Sequence, residues 1–423
     1  MHRRTLLATP LAFPALAAPA LAQTAPTDIS IQYSIPELFR GLMEEVATAF
    51  MRANPNIRVT IRAPEPDYEA ILQRNLRDAV TRQLPDVAFH GLNRQRTLVE
   101  REIPVDLKPF MAADARLAEQ GYSESLLSLG QVGQLQTGIG FALSTPILYY
   151  NMEQLRRAGG NPEKLPSSWA EVAALARAIH GTAENLNGMF YDWTITGNWA
   201  WQALVFSHGG TMLSADERQV AMGNEQGQRA IAALRMLVDE GRMPDMRPNA
   251  AIADFFAGRL GISMQSTAQL GRYNREIGGR FPLVCGRYPL SAPNARLPAG
   301  GNVAMMFTRD AAKQAAAWEF IKFATGPVGA TMMVNATGYM PASTIPAQRE
   351  EMLGRFYREN PNHLVTFRQQ DVITGWYAFP GQNALRITDT INDHLQSVVA
   401  RRAEPQAALT RMAADVQALL PRR

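Results

Sequence analysis

GFALSTPILYYN, residues 140–151, reads as two short strands with a break between them. Residues 141–143 are apolar and residues 147–150 are apolar and aromatic, so each run is suited to a buried strand. Ser144, Thr145 and Pro146 interrupt them. Pro146 confines the residue before it to extended backbone, so the break is not a helix start. A plain kink inside one strand is one reading. If the chain passes here from one sheet to another, Ser144 is free to present its hydroxyl between them.

The flanking sequence supplies the sheets. Residues 29–34 (ISIQYS) form a strand, and Pro36 opens an amphipathic helix to about residue 53 with Leu38, Leu42, Val46 and Phe50 at helical spacing. Residues 57–63 (IRVTIRA) alternate, residues 68–83 are helical, and DVAFH (86–90) is a strand. This βαβαβ order implies a parallel sheet with covering helices. Helical patterns dominate 152–260, among them EVAALARAIH (171–180) and GQRAIAALRMLVDEG (227–241). Residues 250–266 read as helix, Gly258, then strand. Residues 302–308 are a strand, and 310–327 a helix capped by Asp310 and stopped by Gly326-Pro327. Residues from 384 onward are helical. No linker separates two contiguous domains, so the chain crosses between two lobes more than once.

At 423 residues the chain exceeds one ordinary core. The formal net charge is +4, two of it from Arg3 and Arg4, and basic residues are interspersed with acids. That is no nucleic-acid footprint. The opening MHRRTLLATPLAFPALAAPALAQ has a basic start, an apolar stretch and Ala20-Leu21-Ala22 before Gln23. It reads as a cleaved secretory signal over 1–22, with the twin-arginine and the ordinary route both open. A membrane anchor is disfavoured by Pro10, Pro14 and Pro19. Cys285 is the only cysteine, which excludes an internal disulfide and a multi-cysteine metal site, and its apolar neighbours place it in a core.

Catalytic motifs are missing. There is no G-x-S-x-G, Walker A loop or H-E-x-x-H, and no two histidines sit at metal-ligand spacing. No cofactor and no metal is expected.

Four stretches together resemble a known family: 144–172 (STPILYYNMEQLRRAGGNPEKLPSSWAEV), 255–270 (FFAGRLGISMQSTAQL), the strand–helix pair 300–327, and TGYMPAS (337–343). The chain is similar to extracellular solute-binding proteins of ABC importers, in the class for sugars and glycerol phosphates, and most like the periplasmic glycerol-3-phosphate-binding proteins. The resemblance implies an α/β fold with two lobes, each a mainly parallel sheet flanked by helices, and a ligand in the cleft between them. It divides the chain into a first lobe of 23–143 plus 267–340 and a second of 144–266 plus 341–423. The later crossings then fall near 265–269 and 339–343.

The resemblance also implies the ligand contacts. They are Tyr68 after PEPD, Ser144 at the first crossing, Trp201 in WAWQ, Ser266 after GISMQ, Gly301 in PAGGN, Tyr339 in TGYMP, and Arg386 as cationic anchor for a phosphate. Where the glycerol-phosphate binders carry a glutamate, this chain reads AFHGLN, and His90 is the nearest polar replacement. A neutral imidazole has one acceptor against the several of a carboxylate. That widens the expected ligand from glycerol 3-phosphate to a glycerophosphodiester, a sugar or a polyol. The residue types suit the task on their own. Aromatic faces cover C–H surfaces, hydroxyls donate and accept, and an Arg fork binds phosphate.

The implied function is a monomeric periplasmic binding protein that closes on a small polar ligand by hinge rotation and delivers it to the membrane subunits of an ABC permease. The alternatives are a secreted enzyme acting on carbohydrate or phosphate esters, and a sensing lobe for a membrane receptor.

Overall fold

The computed structural model describes residues 25–421. The expected signal segment, 1–22, lies outside the described residues. Two sheets carry the fold. The first runs in the order Ile57–Ile61, Thr27–Gln32, Val87–Gly91, Gly300–Met306, Ile139–Ser144. Its first three strands are parallel, as the βαβαβ order requires, and Gly300–Met306 is antiparallel to both its neighbours. The second sheet runs Leu283–Arg287, Pro146–Asn151, Leu260–Ser266, Asn187–Tyr191. Only its last pairing is parallel. The α/β two-lobed expectation holds, while both sheets are mixed rather than mainly parallel.

Local chemistry explains the elements. Pro36 occupies the first turn of the helix Pro36–Ala53, which buries Phe39, Leu42, Met43, Val46 and Phe50. Asp67 caps Tyr68–Val80 by accepting from the backbone N–H of Glu69 at 2.9 Å and Ala70 at 2.8 Å. Ser168 and Glu171 form a reciprocal capping box on Trp169–His180. Asp310 caps Ala311–Thr325, and Gly326 stops it.

The chain passes from the first sheet to the second at 144–146. Ser144 ends a strand of the first sheet and Pro146 starts one of the second. Thr145 between them exchanges hydrogen bonds with Thr267, its N–H donating to Oγ1 (3.1 Å) and its carbonyl accepting from the Thr267 N–H (3.0 Å). Gln369 Nε2 donates to Thr145 Oγ1 at 3.0 Å and to the Pro146 carbonyl at 3.1 Å. Leu143 and Met340 pair alongside. These segments form a joint of extended chains laid side by side.

The expected division needs two corrections. Residues 267–297 belong with the second sheet, not the first. Leu283–Arg287 pairs with Pro146–Asn151, and Leu270, Tyr273 and Ile277 pack into the same core as Tyr149 and Phe255. The return to the first sheet comes at Gly300, which pairs with Ser144. Likewise the chain does not leave the first lobe at 341. Leu353 and Tyr357 sit in the core with Phe39 and Phe320, and Val365 is the next residue in the second core. The physical cause is shared: an apolar helix follows its nearest unfilled core, whatever strand boundary precedes it.

His90 is fully buried, with Nε2 2.9 Å from Asn75 Oδ1, and Asn75 in turn donates to Gln32 Oε1 at 2.8 Å. Burial drives its imidazole down to about 3, and drives His363 down to about 4. Both folded values lie below the unfolded one, so the unfolded chain takes up protons first. Stability from these groups is complete above about pH 6.5 and falls as pH drops toward 4, by about 1.4 kcal/mol per pH unit for each. Urea midpoints measured between pH 7 and 5 are expected to fall, and His90→Gln to lessen the proton uptake on unfolding by about one. An unchanged uptake in that variant would show that His90 titrates freely.

Candidate functional site

The C-terminal ends of the parallel strands in the first sheet point at the second lobe, the usual place for a ligand in an open α/β sheet. After Thr27–Gln32 the chain reaches Ser34, which bridges to Glu65, and Ile35, which is held at φ 59. A β-branched residue there is a genuine outlier. After Val87–Gly91 it reaches Asn93 and Arg94, both buried.

Three of the expected residues meet at this edge. Tyr68, opening its helix, is buried, and its hydroxyl accepts from Asn302 Nδ2 at 3.2 Å and bonds the Tyr339 hydroxyl. Burial pushes both phenols up, so both stay protonated. Tyr339 also stacks on Phe39, ring centroids 5.7 Å apart. Ser144 lies in register with Gly300. A Cβ added at Gly300 would stand 2.6 Å from Ser144 Oγ and 3.2 Å from the Trp199 ring, which places that hydroxyl and that indole together.

The other five expected residues have other positions. Gly301 has φ +100, and an added Cβ would be 1.8 Å from the Ala142 carbonyl. Its close approach is to the neighbouring strand. His90 is held between sheet and helix by Asn75, away from the edge. Ser266 stands at the joint, its Oγ accepting from the Ala268 N–H at 3.2 Å and its carbonyl accepting from the Tyr149 hydroxyl at 2.8 Å. Trp201 is 0% exposed inside the second core, with Nε1 donating to Met222 Sδ (3.4 Å). Arg386 is exposed on the helix Ala384–Val399.

Trp199 rather than Trp201 stands where the lobes meet. It belongs to one apolar cluster with Tyr68, Leu143, Met340 and Trp376, and its ring centroid lies 6.2 Å from that of Trp376. Gly197 (φ 64) and Asn198 (φ 55) both adopt left-handed backbone to set its helix. An added Cβ at Gly197 would stand 2.6 Å from Asn93 Nδ2 and 3.2 Å from Trp376, so the two lobes touch there. Sequence reasoning missed Trp199, Trp376, Asn93 and Asn302. For Trp199 a signal was present, since residues two apart on a helix face opposite ways and only one of the WAWQ tryptophans can face the cleft.

This edge also collects buried polar atoms without partners: Asn93 Oδ1, Arg94 Nε, Asn198 Oδ1, Trp199 Nε1 and Asn302 Oδ1. Such groups are costly and ordinarily paired. They supply donors and acceptors facing a seam between lobes, which is what a polyhydroxyl ligand satisfies. Beside them a cavity of about 500 Å³ opens between lobes, lined by Leu92, Gln95 and Arg96 on one side and Glu217, Trp376 and Tyr377 on the other. Its size lies in the ordinary range for small-molecule sites. Two cations of this edge are already paired, Arg94 with Glu69 at 3.1 Å and Arg96 with Glu217 at 2.5 Å, while Arg296 on the cavity wall bonds the Ala295 carbonyl. Among the described residues no group of three or more His, Cys, Asp or Glu could hold a metal.

Known proteins share this architecture. UgpB from Mycobacterium tuberculosis, solved in complex with glycerophosphocholine, superposes with TM-score 0.79 at 18% identity, covering 94% of this chain and 98% of that one. The cyclic alpha-maltosyl-1,6-maltose binding protein from Arthrobacter globiformis gives TM-score 0.78 at 19% identity, covering 93% and 99%. In sequence, the sn-glycerol-3-phosphate-binding periplasmic protein UgpB of Yersinia pestis bv. Antiqua (strain Antiqua) is 25% identical over 288 residues, which is 64% of this chain and 63% of that protein. The match therefore spans less than two thirds of that relative. UgpB of Salmonella typhimurium is 22% identical over 387 residues, 87% of this chain and 86% of its own. The family described as bacterial extracellular solute-binding protein matches residues 45–352, and this chain belongs to it.

Proposed function

We propose that the chain is the periplasmic binding component of an ABC importer, a monomer that closes its lobes on a small sugar or polyol and presents it to the permease. The observation that carries the reading is the seam itself. Trp199 and Trp376 supply apolar faces, and Tyr68, Asn93, Ser144 and Asn302 supply hydroxyls and amides from around them. Ligand contacts made to both lobes at once supply the free energy of closure. Among the described residues no helix is long and apolar enough to cross a membrane. The lobes we assign are 25–144 with 300–360, and 146–297 with 365–421.

A neutral ligand is favoured over a phosphomonoester by the charges. Arg94 and Arg96 each have a carboxylate, and Arg386 is exposed elsewhere. A glycerophosphodiester is the second reading. It is favoured by Arg296 on the cavity wall and by the names of the UgpB relatives.

Thermal-shift measurements on the chain from Gln23 test this, because a ligand of the folded state raises the melting temperature by mass action. Sugars or polyols should shift it, and glycerol 3-phosphate should not. A shift with glycerophosphodiesters alone would establish the second reading. Absence of any shift, with turnover of chromogenic esters, would favour the enzyme. Arg386→Ala is expected to change affinity by less than about twofold, whichever ligand binds, because a surface cation far from a ligand is screened. A loss of about 2 kcal/mol for an anionic ligand would restore Arg386 as its anchor.

A further inference from the structure

Residues 213–220 of the second lobe form a tight hairpin at the cavity mouth. Leu213 and Val220 bridge its base, the Ser214 N–H donates to the Gln219 carbonyl at 2.8 Å, and Ser214 Oγ donates to Asp216 at 2.6 Å. Glu217 lies at its tip with φ 57. Glutamate in left-handed backbone is uncommon and costs free energy, so its surroundings must hold it there.

What holds it comes partly from the other lobe. Arg96 Nη1 and Nη2 donate to Glu217 Oε1 and Oε2 at 2.5 and 2.7 Å, a two-pronged pair. The Tyr377 hydroxyl donates to Glu217 Oε1 at 3.0 Å, and Arg96 Nη1 reaches the Ala378 carbonyl at 3.5 Å. Arg96 Nε donates to Glu100 on its own segment at 3.0 Å, which fixes the plane of the guanidinium. The two side chains are 23% and 25% exposed, so salt reaches the pair without dissolving it. Arg96, Glu217 and Tyr377 all line the cavity.

We propose that Arg96 and Glu217 form a latch across the cavity mouth, which holds the lobes together without ligand and must part for ligand to enter or leave. A device of this kind sets how often the empty protein opens, and through that its association rate and apparent affinity.

The test uses the ligand-free chain and no assumption about what it binds. Small-angle scattering would be recorded at about 10 mM and about 1 M salt, where the screening length is roughly 30 and 3 Å. The parent protein is expected to expand as salt rises. Glu217→Gln, which keeps the shape and removes the charge, should raise the open-to-closed ratio about threefold or more at low salt and flatten the salt response. The exchanged pair Arg96→Glu with Glu217→Arg should recover compaction. Superimposable low-salt profiles for the parent and Glu217→Gln would overturn the latch. So would a parent protein that is extended at low salt.

Discussion

Gly301→Val is expected to cost about 3 kcal/mol or more of folding stability, one of the largest losses available from a single surface-neutral change in this chain. Gly301 takes φ +100, and a Cβ there would lie 1.8 Å from the Ala142 carbonyl oxygen, 2.8 Å from its carbon and 3.2 Å from Leu143 Cα. All three are backbone atoms of the neighbouring strand, so no side-chain rotation relieves the overlap. The register slips at this point, Asn302 pairing with Ala142 and Val303 with Gly140. The glycine therefore serves a bulge between Gly300–Met306 and the edge strand Ile139–Ser144. The strand cannot move freely either, since Gly300–Met306 is also paired to Val87–Gly91.

Circular dichroism with heat would measure the effect, with Gly41→Ala as control. An added Cβ at Gly41 meets nothing within 4 Å in mid-helix, and alanine there should stabilise by about 0.5–1 kcal/mol. If Gly301→Val melts within about 2 °C of the parent protein, the bulge is softer than its geometry. Asn302 follows directly and holds Tyr68, so a partly folded Gly301→Ala protein should also bind ligand poorly.

The break at 144–146 was legible from its proline and hydroxyls between apolar runs, but its reading as a crossing came from the resemblance; Ser144 pairs in the first sheet and Pro146 in the second. Tyr68, Ser144 and Tyr339 came from the resemblance; in the fold the two tyrosine hydroxyls bond each other and Ser144 lies beside Gly300 and Trp199. Arg386 was not legible, since the same sequence register can put an arginine on either face of a helix. Here the buried stripe runs through Ile387, Ile391, Leu395 and Val398, leaving Arg386 outward. The boundaries at 267 and 341 failed for a related reason. Strand endings were read as crossings, whereas the amphipathic helix Leu270–Ile277 buries Leu270, Tyr273 and Ile277 in the core it had just left. Asn93 and Asn302 carry no local pattern at all, because their role depends on which strands become neighbours.

Trp199→Ala and Trp201→Ala should separate binding from folding, although the residues are two apart. Trp201 is enclosed in the second core among Leu204, Met222 and Leu234. Its truncation leaves a large cavity and should cost about 3–5 kcal/mol of stability, with affinity close to the parent's wherever the protein remains folded. Trp199 faces Trp376, Tyr68 and Leu143, with its N–H unpartnered. Its truncation removes a ring face from the ligand and should cost about 1–3 kcal/mol of binding, roughly a tenfold to hundredfold loss. Urea unfolding beside calorimetric titration with the ligand found by thermal shift would read both quantities. Stability should fall in Trp201→Ala and affinity in Trp199→Ala. The reverse assignment would put Trp201 in the cleft and the Trp199–Trp376 pair in the core. Equal binding by both variants would mean that the ligand sits away from the seam, within the cavity lined by Arg296 and Tyr377.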